Sequence, residues 1–446
     1  MAVIYDVSEV EGILSHGLRR TAGKLDEGTV MSNVYATLAR ENNLSFSTLP
    51  GFNNSRPAIG FSWQTCGDQD RLDAESDSIW LRTRQKEQDG QSDESILSSL
   101  VSAFRTFARL DSVNLDAITV WGRDSLVSTL HGREWHRIWV RASQVYRLSI
   151  SALATSGIAV ESLSVYRNTL RCSVPSCDIM TPLENFDSRA IALFGKSIRN
   201  LALGVSMKIE TDPGKISATR KLLEQASPRS RGAFHWDMLD STDPEAITES
   251  NFTAIARLLQ FMPNLEALDL HLYHCLKGDP SGYDKIFELI SKHIRLPSLK
   301  QCYLRGIYAT QGALLQFLAN HPFITHLDLR EIHLTSGSWE PVIDHLDSKM
   351  PALTRLRLSN LWTNQILNLR PIWETKFDEM NYLKPNPISY PCHGGLVVHT
   401  WDFKEHDLKK RLKFYPTTPG DVPLGSPGRF HWLHSRLLEY GPPTGI

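Results

Sequence analysis

The chain has 446 residues, 41% of them hydrophobic and 22% charged, with a formal net charge of −1 and a sequence pI near 7.0. These values are ordinary for a folded, water-soluble protein. The neutral balance argues against nucleic acid or an anionic membrane as partner, and no apolar stretch approaches the ~20 residues that span a bilayer.

The opening segment, Met1 to Val10, has no basic start followed by an apolar run, so no secretory signal is expected and the expected compartment is the cytoplasm or nucleus. Residues 1–66 carry weak apolar patterning and form an N-terminal region of uncertain fold. Residues 67–94 are rich in Asp, Glu, Gln, Arg and Ser and read as a flexible linker, interrupted by Trp80 and Leu81. Ile96, Leu97, Leu100, Val101, Phe104 and Phe107 follow helical spacing, which predicts a helix over 95–109.

A frame of three apolar residues in the pattern L-x-x-L-x-L then recurs. It begins at Leu115, Val145, Val160 and Ile198, and four further copies are each marked by a proline two residues earlier. These are Pro263 before Leu265, Leu268 and Leu270; Pro297 before Leu299, Cys302 and Leu304; Pro322 before Ile324, Leu327 and Leu329; and Pro351 before Leu353, Leu356 and Leu358. The marked frames start 34, 25 and 29 residues apart (265→299→324→353), the period of one strand plus one helix per unit.

Eight strands are expected. The step from 198 to 265 leaves room for a degenerate strand near Ala233–Trp236. Between the later frames, apolar stripes predict helices: Phe252 to Met262, Tyr283 to Ile294, Leu314 to Leu318 and Trp339 to Met350. Each ends at its proline, which lacks an amide hydrogen and disfavours helix in the residue before it. The predicted fold class is therefore α/β: an irregular leucine-rich-repeat solenoid over residues 95–361, with parallel strands on the concave face and helices on the convex face. Residues 362–446, rich in tryptophan and proline, are expected to cap its last unit.

The frames resemble leucine-rich repeats of the ribonuclease-inhibitor-like kind. Val145–Val165 and Leu258–Leu270 more closely resemble segments of filamentous-fungal F-box and leucine-rich-repeat proteins. The resemblance covers about residues 95–361 and implies protein recognition, with substrate recruitment to an SCF-type ubiquitin ligase as the family's usual role. Two features depart from that pattern. The repeat asparagine, three residues after the last leucine of a frame, is replaced by Tyr273, Ile307, Ile332 and Leu361, so apolar packing must close those turns. No F-box is legible, because Leu49-Pro50 is followed by the helix-breaking run Gly51 to Pro57.

Residues alternating with the leucines point to the other face of a sheet. Tyr303, Arg305, His326, Asp328, Arg330, Arg355 and Arg357 are thus the candidate partner-binding surface, suited to an acidic peptide. Ala267, Asp269, His271, Gln301 and Ser359 share that face, with Trp121, Arg147 and Tyr166 from earlier strands. Arg and Tyr are enriched among residues that dominate protein interfaces. The alternative is a solvated face with cross-strand charge pairing, such as Asp328 with a neighbouring Arg.

No enzyme, cofactor or metal is expected. There is no phosphate loop, dinucleotide fingerprint or nucleophile elbow. His131, Glu134 and His136 have the wrong spacing for a zinc-protease helix, and Cys172 and Cys177 lack a second ligand pair. These two cysteines are the only close pair among six, and the spacing leaves a disulfide between them open. The expected function is non-catalytic protein–protein interaction of unknown partner. The alternative is a ubiquitin-ligase substrate receptor that binds the ligase adaptor through a divergent F-box.

Overall fold

The computed structural model describes residues 90–116, 135–167, 172–210, 212, 214–215, 239–276, 278–373, 396–397, 400–408, 410–415 and 422–423. The region 1–66, Trp80, Leu81, Trp121, His131, Glu134 and Ala233–Trp236 lie outside those residues.

The molecule is a mixed α/β structure built on an open ten-stranded sheet, and all of its pairings but one are parallel. Helix α1 (Asp93–Phe104) starts earlier than expected because Ser92 caps it, its hydroxyl accepting the Ser95 N–H at 3.2 Å. Strand β1 (Arg109–Leu115) follows at once. Of the strand expected at 115–120, residues 117–120 lie outside the described residues; Leu110, Val113 and Leu115 form an overlapping frame with the same spacing, and all three are buried.

The frame at Val145 is overturned. It lies inside α2 (Trp135–Ser156). Ala142, Val145, Tyr146, Ser149 and Leu153 are all buried at helical spacing, and Gly157, at φ +69°, receives the chain at the helix end. Arg147 accordingly pairs with Asp93 of α1 instead of lining the open face. Strands β2 (Ala159–Val165), β3 (Val174–Pro175) and β4 (Asn200–Ser206) follow, with α3 (Ser188–Ser197) between the last two. Tyr166 is also lost to the open face. It is fully buried at φ +53° and donates its hydroxyl to the Ala142 carbonyl at 3.0 Å.

The second half is regular. It runs α4 (Ser250–Gln260), β5 (Ala267–Tyr273), α5 (Asp284–His293), β6 (Gln301–Arg305), β7 (Tyr308–Thr310), α6 (Gln311–Asn320), β8 (His326–Ser336), α7 (Glu340–Ser348) and β9 (Arg355–Trp362). The sheet order is β1-β2-β4-β5-β6-β8-β9-β11, the last being Thr400–Lys404, with β3 beside β4 and β7 beside β8. Because β4 pairs directly with β5 from Asn200↔Ala267 to Ser206↔Tyr273, the sheet has no slot for a strand between them.

Each marked proline acts just after its helix has ended. It sits second in a tight turn, in which Leu265, Leu299, Ile324 and Leu353 donate their N–H to Met262, Leu296, His321 and Met350 at 3.0–3.3 Å. The strand opens after the turn. There the Arg199 carbonyl receives the N–H groups of Glu266 and Ala267, and the Glu266 carbonyl those of Lys300 and Gln301. Lys300 and Thr325 do the same for the next two units. This repeated geometry turns the three apolar residues of every marked frame inward, and all are buried. Each such side chain contributes about 1.5–3 kcal/mol.

Beyond β9, strand β11 (Thr400–Lys404) adds to the sheet antiparallel, pairing Thr400 with Ser359 and Lys404 with Arg355. Phe403 on it is fully buried against the rings of Trp373, Trp401 and Phe414. β10 (Leu396–Val397) and β12 (Val422–Pro423) form a separate parallel pair. Among the described residues no helix is long and apolar enough to cross a membrane.

Candidate functional site

The register stacks the residues between the leucines into rows. One row reads Ala267, Gln301, His326, Arg355 and Lys404; the next Asp269, Tyr303, Asp328, Arg357 and Asp402; the third His271, Arg305, Arg330, Ser359 and Thr400. The fold therefore brings all seven candidate residues onto one face. The first three strands of the sheet order, β1, β2 and β4, supply only small or uncharged groups to these rows: Ser112, Asn114, Ser162, Ser164, Asn200, Ala202 and Gly204. Charge and aromatic character begin at β5.

Pairing between and within strands accounts for much of that charge. Asp269 is buried and accepts from Arg305 Nε and Nη2 at 3.1 and 2.8 Å, and from Arg167 Nε at 2.8 Å. Asp328, also buried, accepts from Arg330 Nε at 2.8 Å, and Asp402 from Arg355 Nη2 at 3.0 Å. His326 Nδ1 meets the Thr325 hydroxyl at 2.9 Å. Arg167 also lies 5.9 Å from the centre of the Tyr303 ring. Arg305, Arg330 and Arg355 are thus engaged within the chain. Arg357 is different: among the described residues no ion pair reaches it, and its Nε is buried without a hydrogen-bond partner. On this face Arg167, Arg305, Arg330, Arg355, Arg357 and Lys404 stand against Asp269, Asp328 and Asp402. Among the described residues of these rows and Arg167, six cations against three carboxylates leave three positive charges.

A second feature was missed in the sequence. Four residues beyond the last apolar position of each marked frame stand His274, Tyr308, His333 and Trp362. Their rings follow one another across the strand ends at 4.8, 4.9 and 5.7 Å between centres. His333 also faces the buried Glu331 carboxylate at 2.9 Å. Beside this ladder Tyr273, Ile307, Ile332 and Leu361 are all buried, so rings and apolar side chains pack the ends of these strands. The detectable signal was a ring at a constant offset from the frame.

Among the described residues no cluster of His, Cys, Asp or Glu is arranged to hold a metal ion. Cys172 and Cys177 are free thiols, pushed up to about 12 by burial. Cys302 fills its frame position in the core, and burial raises its thiol further. No protein-family model matches this chain, and no curated protein matches it.

Proposed function

We propose that residues 95–361 form an irregular leucine-rich-repeat solenoid whose open sheet face binds a protein partner without catalysis. The observation that carries this reading is the in-register row Asp269–Tyr303–Asp328–Arg357–Asp402. Its carboxylates are held by flanking arginines, while a half-buried tyrosine and an arginine with no ion pair among the described residues are left for a partner. Such rigid aromatic and guanidinium groups dominate protein interfaces. The repeated proline turns and inward leucines support the repeat assignment, and the resemblance to F-box and leucine-rich-repeat proteins agrees with it.

The test is affinity purification of the full chain beside a variant carrying Tyr303→Ala and Arg357→Glu, with partners quantified by mass spectrometry. Circular dichroism would confirm that the variant folds. The reading expects a defined partner set to be lost from the variant. An unchanged partner set would remove the open face from the account.

A further inference from the structure

The open-face reading leaves the chemistry of the partner unspecified, and Arg357 supplies it. In register Arg357 stands between Asp328 and Asp402, yet those carboxylates are engaged by Arg330 and Arg355. Among the described residues its buried Nε has no acceptor. That Nε is sealed from a ligand, but the side chain as a whole is only half-buried, and a guanidinium offering its two terminal Nη groups matches the two oxygens of a carboxylate.

The surroundings extend the match. Lys404, on the neighbouring strand one row away, is exposed and has no ion pair among the described residues. At the far end of the row Arg167 and Arg305 share the single carboxylate of Asp269, which leaves one positive charge beside the Tyr303 ring. From Asp269 on β5 to Asp402 on β11 is four strand steps, about 19 Å at ~4.8 Å each, and an extended chain covers that in about six residues. The surplus of positive charge sits on a chain whose formal net charge is −1, so this face selects for an acidic partner against a basic one.

Resting on the partner-binding reading, we infer that the open face takes an extended acidic peptide of about six residues laid across β5 to β11. One carboxylate is seated bidentately on Arg357, a second lies within reach of Lys404, and an apolar portion lies on Tyr303.

The experiment is fluorescence anisotropy on the full chain. The probe is a labelled, C-terminally amidated octapeptide alternating glutamate and alanine. The controls are the same peptide with glutamine and an oligothymidylate of equal net charge. The expected result is at least tenfold tighter binding of the glutamate peptide than of either control, weakening as salt rises. Arg357→Gln should lose at least tenfold. Arg357→Lys, which keeps the charge without the fork, should lose less. Lys404→Gln should lose about threefold, and Arg257→Gln, exposed on α4, nothing. Equal binding of the glutamate and glutamine peptides, tighter binding of the oligonucleotide, or Arg357 variants that match the parent would overturn the inference. If no peptide binds but the Tyr303→Ala, Arg357→Glu chain still loses its partners, the acidic chemistry is wrong and the open-face reading stands. If those partners also persist, both fail.

Discussion

Replacing Asp269 by asparagine should unsettle the open face more than any other single change of similar size. Its carboxylate side chain is 7% exposed and receives donors from two arginines. The pair with Arg167, whose side chain is 47% exposed, is solvent-screened and worth at most about 1 kcal/mol. The pair with Arg305 is different, because that guanidinium is only 15% exposed. Removing one partner of a buried pair leaves the other uncompensated and costs about 3–5 kcal/mol. Asparagine keeps the shape and one acceptor, so the expected loss is at the lower end, about 3 kcal/mol. Arg305→Gln should cost less, because Asp269 retains Arg167. Urea denaturation gives the answer as a shift in midpoint at unchanged slope. A double-mutant cycle of Asp269→Asn with Arg305→Gln should return a coupling of about 1.5 kcal/mol or more. A coupling below about 0.5 kcal/mol would refute the claim that this pair is interlocked.

Two further outcomes follow from the strand ends and the core. Tyr308, 8% exposed in the middle of the ring ladder, should cost about 3–5 kcal/mol as alanine. As phenylalanine it should cost under about 1 kcal/mol, since its hydroxyl lies a long 3.4 Å from His274 Nδ1. Equal losses for the two variants would contradict the stacking account. His321 is buried, its Nε2 accepting the Leu296 N–H at 3.1 Å and its Nδ1 donating to the Phe317 carbonyl at 2.7 Å. Burial pushes its pKa below the ordinary histidine value. The unfolded chain then takes up this proton first, near pH 6.5. The associated stability is complete above that pH and is lost as pH falls toward the folded-state value. His321→Gln should therefore flatten the decline in unfolding free energy between pH 7 and 5, and an unchanged decline would show that another group carries it.

The proline-marked units were legible in the sequence because three signals coincide there: a helical stripe, a proline and a period of 25–34 residues. Where only the three-apolar frame was present, it was ambiguous. Val145, Leu148 and Ile150 satisfy the strand frame and are buried, yet they belong to a helix whose neighbours Ala142, Tyr146 and Leu153 are buried too. Gly157, which closes that helix, was the overlooked punctuation. Asp402 could not be assigned to the face, because it arrives on a strand that joins from beyond the proline-marked units. Nor could the engagement of Arg305 and Arg355 be read without the register that sets each beside a carboxylate of the neighbouring strand. The ring ladder escaped notice because its members, two histidines, a tyrosine and a tryptophan, share geometry and not residue type.

The central claim is that a partner meets the open face and not the helical one. Its most direct test is photo-crosslinking from two exposed positions of the full chain, Gln301 on the open face and Lys292 on α5, each replaced in turn by a photoreactive amino acid. The account predicts that the captured partner crosslinks from position 301 and not from 292. Crosslinking from 292 alone would contradict it.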